Sequence, residues 1–446
     1  MGKYFGTDGV RGVANDDLSL DIAFRIGKYL GNYSKNTGKA RIVIGKDTRL
    51  SSSMFENIIA GAIASSGANA FLLGYCSTPA LAYVAENDDF DLGVMISASH
   101  NPYYDNGIKI FSNDGTKFNE DILVKIEEYI DNPEGIDNPT HEKLGNIFLY
   151  PEGIEHYKDW LKNLYPDDLS SFKLLVDCAN GSNYQIASSV LNDLACNITI
   201  INSNPNGINI NNECGSTHLE MLQEEIKKDN YDLGLAFDGD ADRLQVVDSN
   251  GNVINGDHIM YILAKYLKDI NMLDNNTLVV TGYSNIGLHK ALDKLGINRD
   301  VVANGDRYVL ESMLKNSYAL GGEQSGHIII KKDSNFGDGL KTALCLLKAI
   351  LHFKSNLNDL TKDLIIYPQL LVNQKVKDKK IVLNDTEITS KIESIKKELN
   401  DEGQILVRPS GTEPLIRVMV EAKSDELCNK YVYEIIDMIK QKGYDD

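Results

Sequence analysis

One pattern recurs three times along this chain and constrains its fold more than any composition figure: strand, helix, strand, helix, strand, then a loop of reactive or flexible residues. The spacing of apolar residues predicts strand 41–44, helix 54–65, strand 70–73, helix 79–86 and strand 92–96, running into Ser97-Ala98-Ser99-His100. The second copy predicts strand 173–177, helix 184–194, strand 198–201, helix 218–228 and strand 233–237, entering Asp238-Gly239-Asp240-Ala241-Asp242. The third predicts strand 277–280, helix 286–295, strand 301–303, helix 307–314 and a short strand 318–320 before Gly321-Gly322-Glu323-Gln324-Ser325-Gly326-His327. In open α/β sheets ligands collect beyond the carboxyl ends of strands, so three such units facing one another would pool three loops in one cleft. After residue 365 the pattern changes to strand 369–376, helix 387–399, strands 404–407 and 415–421, and a final helix. The expected architecture is three similar α/β domains with mixed sheets (1–150, 151–255, 256–365) and a C-terminal α+β domain (366–446), arranged around a central cleft.

The net charge of −19 over 446 residues repels nucleic acid and anionic lipid, so neither is an expected partner. An anionic substrate would need basic residues gathered locally. No apolar run approaches the ~20 residues that span a bilayer. The start Met1-Gly2-Lys3-Tyr4-Phe5-Gly6 has no signal-peptide core, and the six cysteines form no CxxC pair. A soluble cytoplasmic protein with reduced thiols is expected.

Four loops carry candidate chemistry. Ser99, leaving a buried strand beside His100, could be a nucleophile or a phosphate carrier; taken alone, a turn at Asn101-Pro102 accounts for it as well. Asp238, Asp240 and Asp242 are three carboxylates that repel unless a cation or arginine neutralises them, and hard oxygen ligands at this density suit Mg²⁺. An EF-hand is excluded, because its sixth position is Arg243 and its twelfth Ser249. Glu323 and Ser325, in a glycine-rich loop, offer the acceptors and donors that sugar hydroxyls need, though a plain turn fits equally. Arg408-Pro409-Ser410-Gly411-Thr412-Glu413-Pro414, with Arg417 beyond, can give converging N–H groups, hydroxyls and guanidinium bonds to phosphate. Gly45-Lys46-Asp47-Thr48-Arg49 is a weaker candidate for steering an anion.

Together with Phe5-Gly6-Thr7-Asp8-Gly9-Val10-Arg11-Gly12, the segments 97–109, 238–243, 322–327 and 408–414 resemble, in order, the signature loops of the α-D-phosphohexomutases. The resemblance spans nearly the whole chain and is greatest to the branch acting on glucosamine phosphates. Ala241, where Gly is commoner in that branch, removes no ligand. The resemblance implies an isomerase that moves phosphate between the 6- and 1-oxygens of glucosamine phosphate, on the way to UDP-N-acetylglucosamine and cell-wall precursors. The mannose- and glucose-phosphate mutases are the nearest alternative, and a non-catalytic sugar-phosphate sensor a remote one. It further implies that Ser99 carries the phosphoryl group, with one Mg²⁺ held by Ser99, Asp238, Asp240 and Asp242. Arg11 and Lys109 would flank the transferring group, with Lys109 or His100 moving the proton. Glu323 and Ser325 would hold the sugar, with Arg243 and His327 also touching substrate. Arg408, Ser410, Gly411, Thr412 and Arg417 would hold the distal phosphate. A hexosamine or hexose 1,6-bisphosphate would serve as activator and intermediate, and a homodimer is expected.

Overall fold

The computed structural model describes residues 2–6, 8–33, 39–332, 334–410 and 414–446. It contains the three expected α/β units, and their sheets share one topology. In each, the second strand, the first, the third and a fourth lie side by side. These are Asn69–Tyr75, Arg41–Lys46, Leu92–Ile96 and Asp105–Ser112; then Asn197–Ile201, Lys173–Asp177, Leu233–Phe237 and Leu244–Asp248; then Asn298–Val302, Thr277–Thr281, Leu320–Gly322 and Ile328–Ile330. The first three strands of each unit run parallel, and the fourth is antiparallel to its neighbour. The mixed sheets are therefore real.

That fourth strand is absent from the sequence reading, which ran the first loop on to Lys109 and named no element directly after the other two. Its registers, Met95↔Lys109, Phe237↔Leu244 and Gly322↔Ile328, turn each reactive loop into the tip of a β-hairpin. The first was missed for a local reason: Asn106-Gly107 reads as a hairpin turn. Here Asn106 is buried, donating to Ser51 and Ser52 Oγ, and Gly107 lies inside the strand, where a Cβ would stand 2.5 Å from Ser97 O.

Strands Leu92–Ile96, Leu233–Phe237 and Thr277–Thr281 are buried along their full length, as strands covered by helices on both faces must be. Helix starts follow side-chain caps: Ser77 accepts from Ala80 N ahead of Thr78–Asn87, and Asn255 forms a capping box on Gly256–Asp269. One continuous apolar core runs through Val43, Phe237, Leu278 and Leu344, so the three units pack as one body.

The C-terminal unit is a three-stranded antiparallel sheet, Gln369–Lys375, Leu415–Glu421 and Gln404–Pro409, backed by helices Thr386–Leu399 and Asp425–Gln441. Its apolar core is separate, as expected of a unit able to move as a body. Its link to the third unit is polar: Asn285 donates to Tyr367 O and accepts from Tyr367 N, and Glu421 accepts from Ile286 N at 2.5 Å.

Candidate active site

The serine loop is built from beneath. Asp47 accepts from Ser97 Oγ at 2.6 Å and from Arg49 Nε at 2.8 Å, and Ser97 Oγ accepts from Ser99 N at 2.9 Å. Arg49, fully buried, donates to the carbonyls of Ser99, Asn101 and Pro102, and Asn211 of the second unit donates to Ser99 and Asn101. These bonds hold Ser99 at φ 53°, a left-handed conformation that a β-forming sequence would not adopt unaided. Lys46 and Arg49 therefore do not steer an anion. Lys46 pairs with Glu56, and removing one partner of the buried Asp47–Arg49 pair would cost about 3–5 kcal/mol.

Held in this way, Ser99 Oγ donates to Asp238 Oδ2 at 2.6 Å and lies 3.4 Å from His100 Nδ1. Asp238, Asp240 and Asp242 each bring a carboxylate oxygen within 4.8 Å of the others. The two hairpins fit closely: at Gly239 a Cβ would stand 2.6 Å from Ser99 O, and Asp240 O accepts from Thr78 N at 2.9 Å. Ala241 takes φ 57°, a left-handed conformation that glycine adopts at no steric cost.

Lys109 arrives on the fourth strand of the first unit. Its Nζ is 2.7 Å from Asp240, 3.2 Å from Asp8 and 3.5 Å from Asp242. Burial would lower this ammonium's pKa, but Asp240, Asp8 and Asp242 outweigh it and hold it above the usual lysine range. Asp240 shows the converse: burial would raise it, yet Lys109 and the Thr78 hydroxyl keep it below the ordinary carboxylate value. Burial, then Asp242 and Asp240, push Asp238 well above that value. His100 is pushed down to about 3 by burial and then by Arg243 and Arg11.

Of the three carboxylates Lys109 hydrogen-bonds Asp240 alone, and Arg243 Nε stands 3.9 Å from Asp242 Oδ1, too far for a hydrogen bond. Oδ1 of Asp240 and Oδ1 of Asp242 are buried without a hydrogen-bond partner among the described residues, as expected of oxygens reserved for a cation. The donor set, all oxygen and anionic, fits a hard divalent metal.

The glycine-rich loop 321–327 is fixed to the aspartate loop through backbone. Leu244 N donates to Gly326 O at 3.1 Å, and Arg243 and His327 form a β-bridge. At Gly326 (φ 92°) a Cβ would stand 2.1 Å from Leu244 O. Glu323 accepts from Gly305 N at 3.1 Å, and Ser325 Oγ has no hydrogen-bond partner among the described residues.

The comparisons with known proteins agree with this geometry over the whole chain. Models of the phosphoglucomutase/phosphomannomutase family match it in order: α/β/α domain I over residues 2–136, domain II over 154–251, domain III over 255–366 and the C-terminal domain over 371–438. The chain belongs to this family. It is 48% identical over 448 residues to a phosphoglucosamine mutase of Lachnospira eligens, covering 100% of both chains. To a phosphoglucosamine mutase of Bacillus cereus it is 46% identical over 443 residues, covering 99% of each. Among solved structures, a phosphoglucomutase/phosphomannomutase family protein of Burkholderia thailandensis superposes with a TM-score of 0.82 at 21% identity, covering 99% of this chain and 98% of that one. The chain is thus a phosphohexomutase, an isomerase.

In this phosphohexomutase the structure brings together Ser99, His100, Lys109, Arg11, the three aspartates, Arg243 and the glycine-rich loop that carries Glu323, Ser325 and His327. Arg11 pairs with Asp8 and reaches Asn101 Oδ1 at 3.5 Å. Arg408 and Arg417 sit opposite each other across the last hairpin, with Ser410 buried where its turn begins. Like charges so placed repel, and an anion between them would relieve that. Arg408 also donates to Tyr283 Oη of the third unit at 2.6 Å. Gly411 and Thr412 lie outside the described residues. Sequence reasoning missed Asp8, Thr78, Asn211, Lys117 and Asp306 at the site. Thr78, Asn211, Lys117 and Asp306 contact the known loops only through tertiary structure; Asp8, within the glycine-rich signature and paired with Arg11 three residues on, alone carried a local signal.

Proposed function

We propose that this phosphohexomutase interconverts glucosamine 6-phosphate and glucosamine 1-phosphate through phosphorylated Ser99 and a 1,6-bisphosphate. The observation that carries the choice of sugar is the full-length identity of 48% and 46% to phosphoglucosamine mutases. In the forward direction the 1-hydroxyl oxygen attacks the phosphorus on Ser99. Its bond to Oγ breaks, and the hydroxyl proton leaves toward His100, whose imidazole is neutral and lies 3.4 Å from Ser99 Oγ. Lys109, held as an ammonium, is the alternative shuttle only as a donor that hands over its own proton first. After the bisphosphate reorients, Ser99 Oγ takes the 6-phosphoryl group, leaving glucosamine 1-phosphate. The bisphosphate thus serves as intermediate and, supplied free, as activator.

Arg11 and Lys109 flank the reacting phosphoryl group. Glu323 and Ser325, with Arg243 and His327, hold the sugar in both orientations. Arg408, Ser410 and Arg417, with Gly411 and Thr412, hold the distal phosphate. Positioning and charge account for most of such a reaction. Mg²⁺ is the ion that the oxygen donors of Asp238, Asp240, Asp242 and phosphorylated Ser99 suit, and it would neutralise the transferring group.

The units are assigned as 1–150, 151–255, 256–365 and 366–446, in a cytoplasmic homodimer. Edge strand Ile147–Leu149, whose three side chains are all exposed, supports a self-association surface. No described helix is long and apolar enough to cross a membrane. The test of substrate is a competition assay: kcat/KM with glucosamine phosphate should exceed that with mannose and glucose phosphates. Equal or higher values with either would move the chain to that branch.

A further inference from the structure

Lys117 belongs to none of the loops that point to the reaction, yet it joins two units across the cleft. Its Nζ lies 2.7 Å from Asp8 Oδ1 and 2.6 Å from Asp306 Oδ2 of the third unit. Asp8 reaches the other way: its Oδ2 pairs with Arg11 and stands 3.2 Å from Lys109 Nζ. Asp306 opens helix Asp306–Asn316, and its Oδ2 is 3.6 Å from His327 Nε2. The preceding residue, Gly305, donates its N–H to Glu323. Charges therefore alternate without a break along Asp240, Lys109, Asp8, Lys117 and Asp306, from the phosphoryl-transfer centre to the foot of the sugar loop.

The continuous apolar core does not fill this seam completely. A cavity of about 270 Å³, lined in part by Phe111, Leu310, Leu314 and Phe336, opens between the first and third units, with Lys117 and Asp306 in its wall. The ion relay spans the gap. With Lys117 removed, Asp8 and Asp306 would lose the charge between them, and the two loops that carry them would shift apart within the packed body.

We propose that Lys117 is a positioning residue: through Asp8 and Asp306 it sets the distance between the Ser99–Lys109 centre and the Glu323–His327 sugar loop. The inference rests on the roles of those residues proposed above. Displacement of a substrate by about 1 Å can cost a hundredfold in rate, so a register device far from the bond being broken has a kinetic signature.

The test compares Lys117→Met, Asp306→Asn, the double variant, Lys117→Arg and Glu323→Gln, by steady-state mutase kinetics and thermal melting. Lys117→Met should lower kcat about tenfold to a hundredfold in folded protein. The double variant should be no worse than the poorer single, and Lys117→Arg should restore most of the rate. Unchanged kcat in folded Lys117→Met, or losses that multiply in the double variant, would overturn the relay. A lower melting temperature with unchanged kcat would reduce Lys117 to a structural tie and also overturn it. Glu323→Gln separates the two readings. If it loses activity while Lys117→Met does not, the relay alone fails; if neither changes, the sugar-loop assignment fails with it.

Discussion

Ser99 Oγ and Asp238 Oδ2 are 2.6 Å apart although they belong to hairpins of different units, 139 residues distant in the chain. The serine and an acidic triad that could bind a metal are therefore one site. A phosphoryl group on Ser99 would arrive among carboxylates, and only a cation makes that arrangement favourable.

Metal binding should follow directly. Mg²⁺ should raise the melting temperature of the wild-type protein, since a ligand at a hundred times its Kd adds about 2.7 kcal/mol. Asp242→Asn, which keeps the side chain's shape and removes its charge, should lose most of that shift and most of the mutase activity. An undiminished Mg²⁺ shift in Asp242→Asn would place the ion elsewhere.

A second prediction concerns pH and the junction with the C-terminal unit. Burial pushes the carboxyls of Asp257 and Glu421 up to about 7. The native state thus keeps protons that the unfolded chain gives up near pH 4. Where the native state binds more protons, stability falls as pH rises. This contribution is complete below about pH 4 and is gone once pH passes through 7, a loss of order 4 kcal/mol for each group. Melting temperature should fall between pH 5 and pH 8, and Asp257→Asn should flatten that fall. A wild-type profile flat over this range would contradict the assignment.

Distal phosphate binding can be separated from chemistry. Arg417→Ala removes one of the two guanidiniums that face each other across Arg408↔Arg417. Loss of a charged hydrogen bond is worth about 1.5–3 kcal/mol, so KM for the sugar phosphate should rise roughly tenfold to a hundredfold. Ser99 should still accept a phosphoryl group from a 1,6-bisphosphate at high concentration. An unchanged KM would take Arg417 out of the site.

Much of this was legible in the sequence because the units are built from buried parallel strands, whose apolar runs are hard to mistake. Strands 92–96, 173–177 and 233–237 have the expected bounds. The antiparallel strands were not legible. Asp105–Ser112 carries the turn-favouring Asn106-Gly107 at its second and third residues, and Ile328–Ile330 is three residues long. In the third unit strand Asn298–Val302 begins before its predicted start, because its outward face is polar and its alternation is weak. Side chains that bond loops together, such as Arg49 under Ser99 or Lys117 between Asp8 and Asp306, had no local signature. Their partners lie tens to hundreds of residues away.

The most direct test of the central claim is phosphorus NMR of glucosamine 6-phosphate with Mg²⁺, a trace of hexose 1,6-bisphosphate, and either wild-type protein or Ser99→Ala. The account predicts a glucosamine 1-phosphate signal with the wild type and none with the variant, whose melting temperature should show it folded. Conversion by folded Ser99→Ala at the wild-type rate would contradict it.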